Sequence, residues 1–94
     1  MDLADLSPFP GGELIHQGLD HLAQGLLSEA ALLVLIGAPR LRRLGLDVGD
    51  FAGGPPEHKL YELLSASDPD SAHSRYNALI RRLVSFERAV ECAG

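Results

Sequence analysis

The 94-residue sequence predicts an all-α fold, a small bundle of four main helices arranged as two helical hairpins. Apolar residues recur at helical spacing on both sides of a glycine-rich centre, and no two segments form a convincing pair of strands. Hydrophobic residues make up 46% of the chain while tryptophan is absent and aromatics reach 5%, so we expect a core of aliphatic side chains. A chain of this length fits one domain.

The first helix is predicted to begin after Gly12. Its apolar residues follow steps of four, three and four, and polar residues occupy the opposite side. The apolar stripe comprises Ile15, Leu19, Leu22 and Leu26. Gly25 is suited to end this helix in a left-handed conformation, and Ser28 to cap the next one, with Leu27 and Leu32 as a hydrophobic staple. The pattern is that of a tight helical hairpin.

The second helix, Glu29 to Ile36, is apolar on all sides after its first residue. We therefore expect it to lie at the centre of the bundle, or to be covered in part by another copy of the chain. The run LLVLI also allows a strand, but the sequence supplies no partner for it. Pro39 is then predicted to open a short helical piece that ends before Gly45.

The second hairpin follows the connection Leu46 to Pro55, which we expect to be irregular and mobile because of its glycines. Pro56 opens the third helix. Its inward residues are predicted to be Leu60, Leu63 and Leu64. Asp68 is placed to cap the last helix and Pro69 to occupy its first turn. The core stripe of that helix is predicted to comprise Tyr76, Leu79, Ile80, Leu83, Phe86 and Val90.

Residues 1–12 contain two prolines and two glycines, which predict a flexible N-terminal arm before a single helical domain at residues 13–94. No Lys or Arg occurs before Arg40, and the whole chain carries a net charge of -5. An acidic surface repels phosphate backbones at long range, which argues against a general affinity for nucleic acid. The single Cys92 indicates a reducing, cytoplasmic location, and the apolar run from Ala30 to Ile36 is too short to cross a membrane.

No motif for catalysis or for a cofactor is assembled in the sequence, so we expect neither an enzyme nor a bound cofactor. One alternative is a metal-binding bundle. In it, the pairs Glu13/His16 and Asp70/His73 would each present a carboxylate and an imidazole three residues apart on a helix. However, acids in first helical turns are favoured by the helix dipole alone, which is the simpler explanation.

Arginines form two groups that support a second alternative, a nucleic-acid-associated accessory protein. The first group comprises Arg40, Arg42 and Arg43, and the second comprises Arg75, Arg81, Arg82 and Arg88. The same side chains can instead pair with carboxylates on neighbouring helices, which is the more common use of charged helix faces.

The preferred hypothesis is a non-enzymatic protein–protein interaction module that forms a homodimer, with another protein as a further possible partner. Its basis is the wholly apolar second helix, which a domain this small is not guaranteed to cover by itself. The predicted binding surface is the polar face of the last helix. Its residues are His73, Arg75, Asn77, Arg81 and Arg82.

Overall fold

The computed structural model describes residue 6 and residues 8–49 and 53–93. These residues form five α-helices and no strand, so the predicted all-α bundle is confirmed. The helices are α1 (Gly12–Ala23), α2 (Glu29–Ile36), α3 (Ala38–Arg43), α4 (Pro56–Ser67) and α5 (Ala72–Ala93). The short α3 is the predicted proline-initiated piece, and it begins one residue before Pro39.

Helix α2 lies at the centre and contacts each of the other four helices. Every side chain from Ala30 to Leu35 is at most 7% exposed. This confirms the predicted central position and excludes the strand interpretation of LLVLI. It also removes the reason given for placing a dimer interface on this helix, because the other helices of the same chain already cover it.

The α1–α2 hairpin is closed by local backbone chemistry, as predicted. Gly25 has φ +77°, and the N–H groups of Gly25 and Leu26 donate to the carbonyls of Leu22 and His21, which is a Schellman motif. The Ser28 hydroxyl then accepts the N–H of Ala31 and caps α2. Two successive stop and start signals therefore fix the turn.

Close packing of α1 on α2 depends on a glycine inside α1. A Cβ built on Gly18 would lie 2.3 Å from the carbonyl oxygen of Ala30 and 2.5 Å from Cγ2 of Val34. Any side chain at this position would meet the backbone of α2. The two helices can approach this closely because position 18 has none.

Helices α4 and α5 form the second hairpin, and α4 also packs against α2. Leu60 and Leu64 are fully buried as predicted, but Leu63 is 39% exposed, so its predicted inward orientation is wrong. The reason is geometric, because Leu60 and Leu64 define the buried line of α4 and Leu63 lies on its flank.

The last helix begins later than the sequence indicates. Asp68 accepts hydrogen bonds from the N–H of Asp70 and the hydroxyl of Ser71, and thereby closes a separate turn. Pro69 and Asp70 consequently lie in this turn and not in the first turn of α5. The first helical hydrogen bond of α5 runs from the N–H of Arg75 to the carbonyl of Ser71.

The predicted core stripe of α5 is correct in its position. Leu83, Phe86 and Val90 are buried. The other three members, Tyr76, Leu79 and Ile80, are partly buried against the core. Tyr76 also contacts the ring of Tyr61 on α4, with 5.9 Å between the centroids.

Part of the predicted arm packs on the bundle. Leu6 is buried, and the ring of Phe9 meets the ring of Phe86 edge to face, with 5.9 Å between the centroids. Residues 1–5 and 7 lie outside the described part of the chain. The division of the chain at residue 12 therefore stays a prediction.

The connection between the two hairpins has no regular element over residues 46–49 and 53–55, in agreement with the prediction. Its first residues are nevertheless anchored, since Leu46 and Val48 are buried in the core. Arg42 reinforces this by donating to the carbonyls of Val48, at 2.9 Å, and Gly49, at 3.0 Å. Residues 46–49 are thus held in place, in contrast to the predicted mobility. Residues 50–52 lie outside the described part of the chain.

Among the described residues, no helix is both long enough and apolar enough to cross a bilayer.

Candidate functional site: an apolar groove between the hairpins

An open groove of about 340 Å³ lies between the α1–α2 turn and helix α4. It is lined by Leu27, Leu32, Lys59, Glu62 and Leu63, and we call it the Leu27–Leu63 groove. Leu32 forms a buried floor, while Leu27 is 46% exposed and Leu63 39%. The groove therefore leaves two leucine side chains partly exposed beside a buried apolar floor.

The α1–α2 turn presents one wall of the groove. Because α1 ends at Ala23 and Gly25 turns the chain, Leu26 leaves the predicted apolar stripe of α1 and is 50% exposed. The predicted place of Leu26 in the core is therefore wrong. Leu27 follows it, and although Leu27 and Leu32 line the same groove, the predicted staple leaves much of Leu27 uncovered.

A side-chain hydrogen bond holds this turn in place. Nδ1 of His21, near the end of α1, lies 2.5 Å from the hydroxyl oxygen of Ser28. Since that oxygen also accepts the N–H of Ala31, one serine joins the end of α1 to the start of α2. This arrangement fixes the path of residues 22–27 and directs Leu26 and Leu27 outwards.

Helix α4 supplies the opposite wall. Lys59, Glu62 and Leu63 are spaced three and four residues apart, so they share one side of the helix. Glu62 is contacted by His58, with 2.8 Å between Oε1 and Nε2, and both side chains are well exposed. The groove thus combines leucines with one cationic and one anionic side chain.

The predicted binding residues on α5 do not form one surface. His73, Asn77 and Arg81 follow one another at intervals of four and share one side of α5. Within this row, the amide nitrogen of Asn77 lies 3.2 Å from Nε2 of His73. Arg75 and Arg82 are seven residues apart and lie on another side.

Arg75 also has an intramolecular use. Its Nη2 lies 2.9 Å from Oε1 of Glu29, which joins α5 to the first turn of α2. Arg81 and Arg82 are exposed, and neither side chain has a hydrogen bond or an ion pair with any described residue. These two arginines are the members of the predicted set that remain open to a partner.

Arg40 and Arg42 of the first arginine group likewise make contacts within the fold. Arg40 of α3 holds Glu91 of α5 through two contacts, Nε to Oε1 at 3.0 Å and Nη2 to Oε2 at 2.7 Å. Its Nη1 lies 3.7 Å from Oε1 of Glu87. Burial raises the pKa of Glu87, and the charge of Arg40 partly offsets that rise. The hydrogen bond from Arg40 lowers the pKa of Glu91.

The two predicted metal pairs are not assembled into a site. No group of three or more histidine, cysteine and acidic side chains that could hold a metal ion occurs within the described ranges. Asp70 lies in the turn before α5, so it does not share a helix face with His73 as the hypothesis requires. Glu29, a carboxylate in the first turn of α2, is paired with Arg75.

A second recess, of about 280 Å³, lies where α1 and α2 meet α5. It is bordered by Leu14, Gln17, His21, Ser28, Glu29, Ala30 and Leu79. Its two polar contacts are those already described, the His21–Ser28 hydrogen bond and the pairing of Glu29 with Arg75. Both have structural roles, in closing the hairpin and joining α2 to α5.

Sequence reasoning missed the groove because it assigned Leu63 to the core and expected Leu27 to pack on Leu32 as a staple. One signal was available, since a left-handed Gly25 ends the helix and leaves the two following leucines outside its stripe. The exposure of Leu63 had no such local signal.

Comparison with known proteins finds no protein-family model, no curated protein and no solved structure that matches the chain.

Proposed function

We propose that this protein is a non-enzymatic interaction module that associates with a second copy of itself through the Leu27–Leu63 groove. The observation that carries this proposal is the pair of partly exposed leucines facing each other above the buried Leu32. Leu27 and Leu63 are partly exposed at the groove, whereas residues 30–35 of α2 are covered by the same chain. The proposed dimer is therefore assigned to a different surface from the one that the sequence suggested.

Charge complementarity favours a second copy as the occupant. The groove contains Lys59 and Glu62, one charge of each sign, on the same wall. A surface with this composition is self-complementary under a two-fold axis, because each charge can face its opposite in the other copy. A partner of uniform charge would leave one of the two side chains facing a like charge.

The exposed fractions of Leu27 and Leu63 determine the apolar contribution to the affinity of two copies for each other. Burying the rest of each side chain is worth roughly 1 kcal/mol, so two leucines in each of two copies supply about 4 kcal/mol. Association itself costs at least about 4 kcal/mol, which leaves the flanking contacts to provide the net affinity. A Kd of about 1 mM corresponds to about 4 kcal/mol, which the flanking contacts have to supply, so we expect a weak dimer at the upper end of the concentrations tested below.

The test is sedimentation equilibrium of the full chain over about 10 µM to 1 mM. The average mass should rise with concentration towards twice the 10.1 kDa of one chain. Leu63→Ser should suppress that rise. Tyr61 lies on the same helix and is about as exposed as Leu63, but it lies outside the groove. Tyr61→Ser should therefore leave the rise in mass unchanged.

A mass that stays at one chain throughout would refute the proposal, and equal effects of the Leu63 and Tyr61 substitutions would refute the use of the groove. Far-UV circular dichroism checks that each variant is folded.

We further propose a cytoplasmic location, supported by the single cysteine. Recognition of another protein through Arg81 and Arg82 stays a prediction from the sequence.

A further inference from the structure

Resting on the proposed self-association, we infer that two copies pair through antiparallel α4 helices, with Lys59 of each copy against Glu62 of the other. The pairing therefore specifies both the orientation and the register of the dimer. It adds the pairing of opposite charges to an interface in which the leucines supply the apolar contact.

The geometry of α4 selects this orientation. Lys59 and Glu62 are three residues apart, so their Cα atoms are separated by about 4.5 Å along the helix axis. When two α4 helices run antiparallel about a two-fold axis between these residues, each lysine faces a glutamate. Parallel helices in register would instead place lysine on lysine and glutamate on glutamate, which is unfavourable.

Both side chains are available for this pairing. The ammonium group of Lys59 has no hydrogen bond or ion pair with any described residue. Glu62 contacts His58, but both of these side chains are mostly exposed, at 65% and 75% respectively. Exposed pairs of this kind contribute little to stability. Glu62 can therefore exchange His58 for the lysine of the second copy at small cost.

The pairing predicts a specific pattern of loss and recovery. Lys59→Glu gives a groove with two acidic residues, and Glu62→Lys gives one with two basic residues. Each variant alone should dimerise about tenfold more weakly than the original protein. An equal mixture should recover the original affinity, because each charge then faces its opposite in the other variant. The double variant Lys59→Glu/Glu62→Lys should recover it as a homodimer.

The experiment is sedimentation equilibrium of each variant and of the mixture, with Glu57→Lys as a matched charge reversal on α4 outside the groove. Weakening by the two single variants, recovery in the mixture and no effect of the control support the pairing. Single variants that dimerise normally while Leu63→Ser does not would overturn the pairing and leave the proposed function intact. A mixture as weak as its components would also overturn it. An original protein that is monomeric throughout would overturn both proposals.

Discussion

Replacing Gly18 by alanine should destabilise the protein, although alanine is the better helix former. In an isolated helix the change would be favourable by about 1 kcal/mol. In the folded protein, however, the new Cβ would lie 2.3 Å from the carbonyl oxygen of Ala30 and 2.5 Å from Val34 Cγ2. A backbone oxygen cannot rotate away, so relief requires α1 and α2 to separate.

Forcing an extra methyl group into a packed interior costs about 1–3 kcal/mol, and contact with backbone places Gly18→Ala near the upper end. After subtracting the gain in helix propensity, we expect the free energy of unfolding to fall by about 1–2 kcal/mol. For a chain of this size, that loss corresponds to a decrease in Tm of about 4–16 °C.

Urea unfolding followed by far-UV circular dichroism measures the effect. Gly49→Ala is the matched control, because among the described residues no atom beyond its chain neighbours lies within 4 Å of the added Cβ, and its φ is not in the left-handed region. The control should leave the midpoint unchanged or raise it slightly. If Gly18→Ala raised the midpoint instead, the close approach of α1 to α2 would be refuted.

Three further predictions concern stability. Ser28→Ala should lower the free energy of unfolding by about 1 kcal/mol in urea titrations, because the cap of α2 is lost; an unchanged midpoint would contradict that role. Phe86→Ala should cost about 3–5 kcal/mol, a large share of the stability of a small domain, and a midpoint near that of the original protein would contradict full burial. In the folded protein the pKa of Glu87 is raised above its ordinary 4.5, so its ionisation lowers the free energy of unfolding as the pH rises through the folded pKa. The pKa of Glu91 is lowered, so Glu91 contributes stability above pH 4.5 that is lost as the pH falls through its folded pKa. Glu87→Gln should therefore increase the gain in stability between pH 4 and pH 7, and a smaller gain in urea titrations at the two pH values would refute the sign.

Some residues that shape the proposed groove could be predicted from the sequence, and others could not. Gly25 and Ser28 were identified from the sequence as a stop and a start signal, and both act as expected. The assignment of Leu26 to the core failed because the helical period was extended past the glycine. The assignment of Leu63 to the core was wrong for a different reason, because a helix with leucines at 60, 63 and 64 can bury either flank.

The sequence by itself determined the number of main helices, the central position of α2 and the chemistry of the α1–α2 turn. These follow from apolar spacing and from capping groups a few residues apart, so local interactions suffice to specify them. The tertiary structure decided which flank of α4 is exposed and how the arginines are used. Arg75 meets Glu29 across 46 residues of chain and Arg40 meets Glu91 across 51. Such partners are chosen by how the hairpins pack together, because distant side chains approach one another only after the core has formed.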